Sequence, residues 1–409
     1  MPRNAPSLAA TSLTGRRRFL TVALAGASTL TLAACGSTFP GGGGGGGFAE
    51  PTPSAAPTAS GDLIGTGSVR IALVLPKSAG GQSAQIAGQL RNAAELALKD
   101  FPGADVQIMV KDDGGTTEGG QRAASEAISE GAQLIIGPLN AVSARGVAGP
   151  ARSAGVPVVT FTTDTTVASR GVYLIGFLPA ADVERIVSYA ASQNRKSMAA
   201  VVPDDAYGMV VEAAFREQAA KSGVRVIAVE RYKGDPADMQ AKAAAVAKLG
   251  ASIDSVFVPD TGANAAQVIQ SMVSAGLDRS RVKFLGSGRW GDSASLASPA
   301  LAGGWFPAVD PQGADGFKSR YQASFGQTPG PLAILGYEAV FLAAGLVRNA
   351  GSKPFRDDVL LSRNGFLGVT GLFRFKADGT SERGLAVMEV SGGTAKAISP
   401  APKQFAPGT

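Results

Sequence analysis

LIIGPLNAVSARGVAGPARSAGVPVVTFTTD, residues 134–164, is the stretch that decides the fold. Leu134, Ile135 and Ile136 make a short apolar strand, stopped by Gly137-Pro138. A helix of about two turns follows, then a strand over 156–161 opened by Pro157. Each strand ends in small polar residues: Asn140 and Ser143 after the first, then Thr160, Thr162, Thr163 and Asp164 after the second. In an open α/β sheet, ligands bind beyond the carboxyl ends of the strands, where loops and helix N-termini offer donors. Any one of these residues also suits a cap or turn. Two neighbouring strands that end alike point to the wall of a cleft.

Outward from this stretch the same grammar repeats. Residues 69–75 (VRIALVL) form a nearly continuous apolar strand, as expected where both faces are covered. The segment Pro76-Lys77-Ser78-Ala79-Gly80-Gly81 breaks it. Residues 85–99 are helical, with Ile86, Leu90, Ala93, Ala94, Leu96 and Ala97 on one face. A strand over 106–111, a helix over 117–130 and a strand over 172–177 complete a first half. In the second half, helices over 182–193, 207–221, 237–249 and 263–275 alternate with strands over 198–202, 224–230, 255–258 and 282–285. Such alternation implies parallel sheets with right-handed crossovers, and two halves of this size imply two lobes with a cleft between them. Beyond Trp305 the pattern loosens. Helices are expected over 313–325 and 332–348, and a hairpin over 368–375 and 386–390 with its turn at Asp378-Gly379. The tail, with Pro400, Pro402 and Pro407, reads as loose.

Of the 409 residues, 45% are hydrophobic and 17% charged, which suits a well-buried globular protein. The net charge of +6 falls to +2 once Arg3, Arg16, Arg17 and Arg18 are set aside, because residues 1–35 hold no acid. A near-neutral body makes no electrostatic case for nucleic acid. The chain has no histidine, which removes Ser-His-Asp and Cys-His catalysis and the commonest metal ligand. One cysteine, Cys35, makes neither an internal disulfide nor a metal cluster. No catalytic residue, cofactor or metal is expected.

The N-terminus reads as an address. Arg16-Arg17-Arg18 precede a 16-residue apolar run from Phe19 to Ala34, shorter than a spanning helix needs. The arginines followed by Phe19-Leu20 resemble a twin-arginine export signal, with Gly15 and Thr21 departing from the usual flanks; the general secretory route stays open. Leu32-Ala33-Ala34-Cys35 resembles the bacterial lipobox, which implies lipidation of Cys35 and cleavage before it. Gly36, where an Asp would imply inner-membrane retention, leans the expectation towards the outer membrane. Residues 36–68, with glycine at every position from 41 to 47, read as a tether reaching roughly 30 Å.

Five motifs, IALVLPKSAGG, LIIGPLNA, GVPVVTFTTD, VVPDDAYG and GVTGLFRFKADG, stand in an order that resembles the type I periplasmic binding proteins of the leucine/isoleucine/valine-binding branch. The resemblance covers residues 69–395. It implies an α/β fold of two lobes, each a parallel sheet flanked by helices, joined by three crossovers and closing around a ligand by hinge motion. Lobe one is then expected at 69–177 plus 306–362, lobe two at 178–305 plus 363–395, and a loose tail at 396–409. The same resemblance implies a cleft lined by Lys77, Ser78, Asn140, Ala141, Thr162, Thr163, Asp164, Tyr207, Asp260, Arg289 and Trp290. Amino-acid binders place a serine where this chain has Ala141, and a glutamate for the ligand's ammonium where it has Ser287-Gly288-Arg289-Trp290. Asp164 then stands as a candidate for the ammonium, Arg289 for a carboxylate, and Trp290 for stacking on a ring.

The function this implies is a lipid-anchored extracytoplasmic receptor that captures an amino acid or small carboxylate and delivers it to an ABC permease. The alternative is an envelope lipoprotein with a degenerate cleft that regulates cell-wall synthases, since similar domains occur in activators of penicillin-binding proteins. An enzyme is not expected.

Overall fold

The computed structural model describes residues 58–309 and 311–405. The export signal, Cys35 and the glycine run of the tether lie outside the described residues. Among the described residues, no helix is long and apolar enough to cross a membrane.

The first sheet is built by β1 (Asp62–Ile64), β2 (Val69–Leu75), β3 (Val106–Asp112), β4 (Ile135–Ile136), β5 (Val158–Thr160) and β6 (Val172–Leu174), ordered β1-β3-β2-β4-β5-β6. Between them run α1 (Gly81–Lys99), α2 (Thr117–Ser129) and α3 (Ala141–Ala154). All neighbours are parallel except β1, which lies antiparallel to β3 with Asp62 opposite Val110. Ile71 to Leu75 are wholly buried because helices cover both faces, which explains the unbroken apolar run. At Gly137 the chain turns with φ +93°, and a Cβ there would stand 2.1 Å from the Val74 carbonyl oxygen, so only glycine fits.

Two expectations change in this lobe. The ordered sheet begins inside the stretch read as tether, because β1 at Asp62–Ile64 pairs with β3, buries Ile64 in the lobe-one core and ties down Asp62. Arg91 and Lys77 reach Asp62 at 2.9 and 3.4 Å, and just upstream the Ser60 hydroxyl donates to Glu130 at 2.6 Å. Lys77 is thereby committed to the sheet edge. The helix after β4 is also longer than two turns. At 14 residues it runs on through Pro150, which lacks one backbone donor but does not end the helix.

The second lobe holds α4 (Pro179–Ser192), β7 (Ser197–Pro203), α5 (Ala206–Lys221), β8 (Arg225–Tyr232), α6 (Pro236–Ala247), β9 (Ser255–Phe257), α7 (Gly262–Ser274), β10 (Lys283–Leu285), α8 (Ser293–Leu296) and β11 (Trp305–Ala308). The chain then returns to pack α9 (Pro311–Phe325) and α10 (Ala333–Asn349) on α1. After α11 (Asp357–Leu360), the strands β12 (Phe366–Gly368), β13 (Gly371–Phe375) and β14 (Ser381–Arg383) form a small antiparallel sheet whose Phe373 and Phe375 join the core of lobe one. Finally β15 (Ala386–Ser391) and β16 (Thr394–Ser399) enter the second sheet, ordered β16-β15-β11-β10-β9-β7-β8. The chain thus passes between lobes three times: from β6 to α4, from β11 to α9, and from β14 to β15.

These pairings redraw the expected boundaries. β11 extends lobe two to residue 308, and residues 366–383 belong with lobe one. The expected hairpin is replaced: β13 pairs with β12 and β14, Phe375 opposite Ser381, while 386–391 pairs with β11 in the other lobe. Six of the residues around the expected loose tail form β16. An alternating pattern marks a strand but carries no information about a partner distant in sequence.

A buried ion pair lies where two of these passages meet. Arg383 and Glu338, with side chains 4% and 0% exposed, approach to 2.8 Å. The Arg383 guanidinium also donates to the Ile175 carbonyl at 2.6 Å and to Thr370 Oγ1 at 2.5 Å, and Thr370 donates through its amide and hydroxyl to Glu338. One arginine therefore joins the chain leaving β6, the chain leaving β14, and α10.

Candidate functional site: the strand ends of the two lobes

In lobe one the loops beyond β2, β3, β4 and β5 share one edge. Asn140 caps α3, its Oδ1 accepting the Ser143 amide at 2.9 Å, and the Ser143 hydroxyl donates to the buried Asp113 at 2.7 Å. Burial raises the Asp113 carboxyl, and the Ser143 and Gly115 bonds only partly offset it. Ala141, half-buried, is the first residue of α3. The Ser78 amide donates to Asp112 at 3.2 Å. The buried Thr162 accepts the Asp164 amide at 3.2 Å, while Thr163 is exposed.

Asp164, a candidate for the ligand's ammonium, is engaged at home. It accepts the Thr166 amide at 3.0 Å and hydroxyl at 2.7 Å, and pairs with Arg145 at 3.0 Å. The Thr166 bonds, with Arg145 adding, hold its carboxyl below the usual range. It serves as a turn and surface pair instead.

Lobe two presents a denser cluster. Asp205 caps α5 by accepting the Gly208 amide at 2.7 Å, which sets Tyr207 in the first turn at the strand ends. The Tyr207 hydroxyl meets Ser287 Oγ at 3.1 Å across from the loop after β10. The Arg289 guanidinium lies over the Tyr207 ring, 3.5 Å from its centre, with its side chain 42% exposed. Its Nη1 stands 3.9 Å from Asp260 Oδ1. Asp260 is buried and well served: it accepts the Thr261 amide at 2.6 Å, Asn264 Nδ2 at 3.1 Å and the Tyr232 hydroxyl. Burial pushes the Tyr207 hydroxyl up to about 12, against the pull of Ser287 and Arg289. It pushes Tyr232 higher still, with Asp260 adding to the shift. Tyr207 and Arg289 thus form one stacked, cationic surface.

Trp290 is not part of that surface. It is 0% exposed and fills the lobe-two core, against Gly286 and Gly304, where an added Cβ would stand 2.2 and 2.7 Å from the indole. Its bulk takes the room those two glycines leave, so it packs the lobe and does not reach a ligand. The neighbouring residue points the other way because the three-residue 3₁₀ turn Gly288–Trp290 rotates successive side chains by about a third of a circle.

The sequence matches the periplasmic binding protein family over residues 68–395. The chain belongs to that family. No curated protein matches it. Among solved structures, a Rhodospirillum rubrum protein assigned to branched-chain amino acid ABC transport matches with TM-score 0.70 at 19% identity, over 81% of this chain and 99% of that one. A solute-binding protein of an ABC transporter from Rhodopseudomonas palustris BisB5, solved with 3,4-dihydroxybenzoic acid, matches with TM-score 0.59 at 22% identity, over 82% and 97%. A Desulfitobacterium hafniense substrate-binding protein, solved with Leu, matches with TM-score 0.59 at 20% identity, over 81% and 99%. At these identities the likeness establishes the fold.

In this periplasmic binding protein, four further residues at the lobe-two strand ends, none of them among the lining expected from the sequence, support that cluster. Ser287 positions Tyr207, Tyr232 and Asn264 hold Asp260, and Asp182 in the first turn of α4 accepts the Gly288 amide at 2.8 Å. Asp182 belongs to no recognisable motif. Its one signal is position: it is the acidic residue in the first turn of the helix that follows the β6 strand.

Proposed function

We propose that this protein is a solute receptor whose cleft takes a ligand bearing a carboxylate, with Arg289 as its anchor. One observation carries this reading: a guanidinium held over the Tyr207 ring with Asp260 at 3.9 Å, yet 42% exposed at the strand ends where ligands of open α/β sheets bind. A planar fork fixed in this way is prepared for bidentate pairing with a carboxylate. The relatives solved with leucine and with 3,4-dihydroxybenzoic acid both carry a carboxylate-bearing ligand, which supports the same class here. Lobe one adds Ser78, Asn140, Ala141, Thr162 and Thr163 at the facing edge. Closure follows to the extent that the ligand binds the closed pair of lobes better than the open one. A lipid on Cys35 keeps the receptor anchored to a membrane on its periplasmic side, and an ABC permease receives the ligand.

Calorimetry of the purified protein against a panel of amino acids and small carboxylates tests the reading. Saturable binding that Arg289→Ala abolishes supports it. Silence across the panel, with capture of a cell-wall synthase, assigns the protein to regulation of such enzymes instead.

A further inference from the structure

The last two strands of the lobe-one sheet start beside a second recess. β5 and β6 run parallel, Val158 opposite Val172 and Thr160 opposite Leu174. Their first residues therefore lie at the far side of the sheet from the loops that carry Asn140 and Asp164. There α3 ends at Ala154, and the chain turns through Gly155, Val156 and Pro157 into β5, while Arg170 and Gly171 lead into β6. The segment Phe355-Arg356-Asp357, at the start of α11, joins them. Together these segments border a recess of about 510 Å3, within the range of small-molecule sites. At Gly155 and Gly171 an added Cβ would meet nothing within 4 Å, so bare backbone borders open space at both.

Three guanidiniums line this recess, and they are not equally employed. Arg170 Nε donates to Asp357 at 2.6 Å, and the other oxygen of Asp357 accepts the Tyr173 hydroxyl at 3.1 Å. Arg356 holds Asp358 through Nε and Nη2 at 2.9 and 2.7 Å. Exposed pairs of this kind add little stability, but they fix the direction of two forks. Each fork keeps N–H donors to spare, since a guanidinium carries five. Arg152, exposed in the last turn of α3, pairs with no acid among the described residues. Three arginines against two aspartates leave one positive charge over. Beside that charge the lining is apolar, with Val156, Pro157, Val172 and Phe355, the last 5% exposed and packed into the lobe-one core.

A surplus cation beside apolar surface selects an anion with an apolar body. A single carboxylate cancels the surplus and matches the planar fork of Arg152, whereas a dianion would leave negative charge in excess beside Asp357. We infer that this recess binds a small organic monocarboxylate, its carboxylate on Arg152 and the spare donors of Arg170 and Arg356, its apolar body against Val156, Pro157 and Phe355. Asp357 does not oppose this directly, because its two oxygens face Arg170 and Tyr173. The site belongs to lobe one alone, so it depends neither on Arg289 nor on closure of the lobes.

The probe for the test is 4-iodobenzoate, because anomalous scattering from its iodine locates the bound molecule directly. Crystals of the purified protein soaked with it should show iodine in the recess between Arg152 and Phe355, and crystals of Arg152→Glu should not. Arg152 is exposed, so the variant should fold, and thermal melts check that it does. Calorimetry should agree, with Arg152→Glu weakening this site at least about tenfold or removing it from the isotherm. Iodine found only in the cleft between the lobes, or nowhere, overturns the inference and leaves the reading of Arg289 to its own test. Equal occupancy of the recess in both proteins, or identical isotherms, also overturns it, since the surplus charge would then not be what holds the anion.

Discussion

The Arg289 guanidinium sits 3.5 Å from the centre of the Tyr207 ring, and the Tyr207 hydroxyl is itself tied to Ser287. The cation is therefore aimed by an aromatic plate that has its own brace. Arg289→Ala is expected to weaken carboxylate binding by roughly 30- to 150-fold, about 2–3 kcal/mol. Arg289→Lys should restore only part, since an ammonium cannot stack as a plane or pair through two parallel bonds. Isothermal titration of the three proteins checks the order.

Asp164 gives the opposite expectation. With Arg145 and Thr166 as its partners, Asp164→Ala should leave ligand affinity within about twofold of wild type. A large loss of affinity in that variant would return Asp164 to the binding surface.

Asp182 makes stability depend on pH. Its carboxyl is raised to about 6, first by burial, against the pull of the Gly288 amide and Arg289; Tyr207 and Asp260 also face this corner. In the unfolded chain the group titrates near 3.9. The folded state therefore binds more protons between these values, and the stability contribution present below about pH 4 is lost as pH rises through about 6. Asp182→Asn should melt higher than wild type at pH 7.5, with the gap shrinking towards pH 4. A gap that does not change with pH would count against the assignment.

Trp290 should report on stability alone. Removing a wholly buried indole in Trp290→Ala is expected to lower the unfolding free energy by about 3–5 kcal/mol. Ligand affinity measured below the melting range should be nearly unchanged. Denaturant titration and calorimetry together separate the two effects.

The Glu338–Arg383 pair predicts non-additivity. Removing either partner leaves a buried charge, so Glu338→Met and Arg383→Met should each destabilise by about 3–5 kcal/mol, and the double variant by less than their sum. A denaturant-melt double-mutant cycle measures the coupling.

Much of this was legible in the chain. The long apolar strand at 69–75 and the helices of the second half carry their period in adjacent residues, and their bounds shift by only a few positions in the structure. Strand partners were not legible, because pairing joins residues far apart: 368–375 alternates equally well whichever sheet receives 386–391. Short edges such as β1 and β16 have too few apolar residues to show a period. At the cleft, Tyr207, Asp260 and Arg289 were placed by motif and stand together. Trp290 was misplaced because residue type does not tell on which side of a turn a side chain falls. Asp182 was not singled out because its partner, Gly288, lies more than a hundred positions away.

The antiparallel pairing of β1 with β3 has a mechanical consequence. Of the described residues just ahead of Asp62, Ser60 donates to Glu130 of lobe one, and Asp62 itself is fastened there by Arg91 and Lys77. Among the described residues, lobe two is joined to lobe one through the three passages of the chain. The described N-terminal end of the chain is thereby fixed to the sheet of lobe one, so a pull on that end is felt first by β1 and β3.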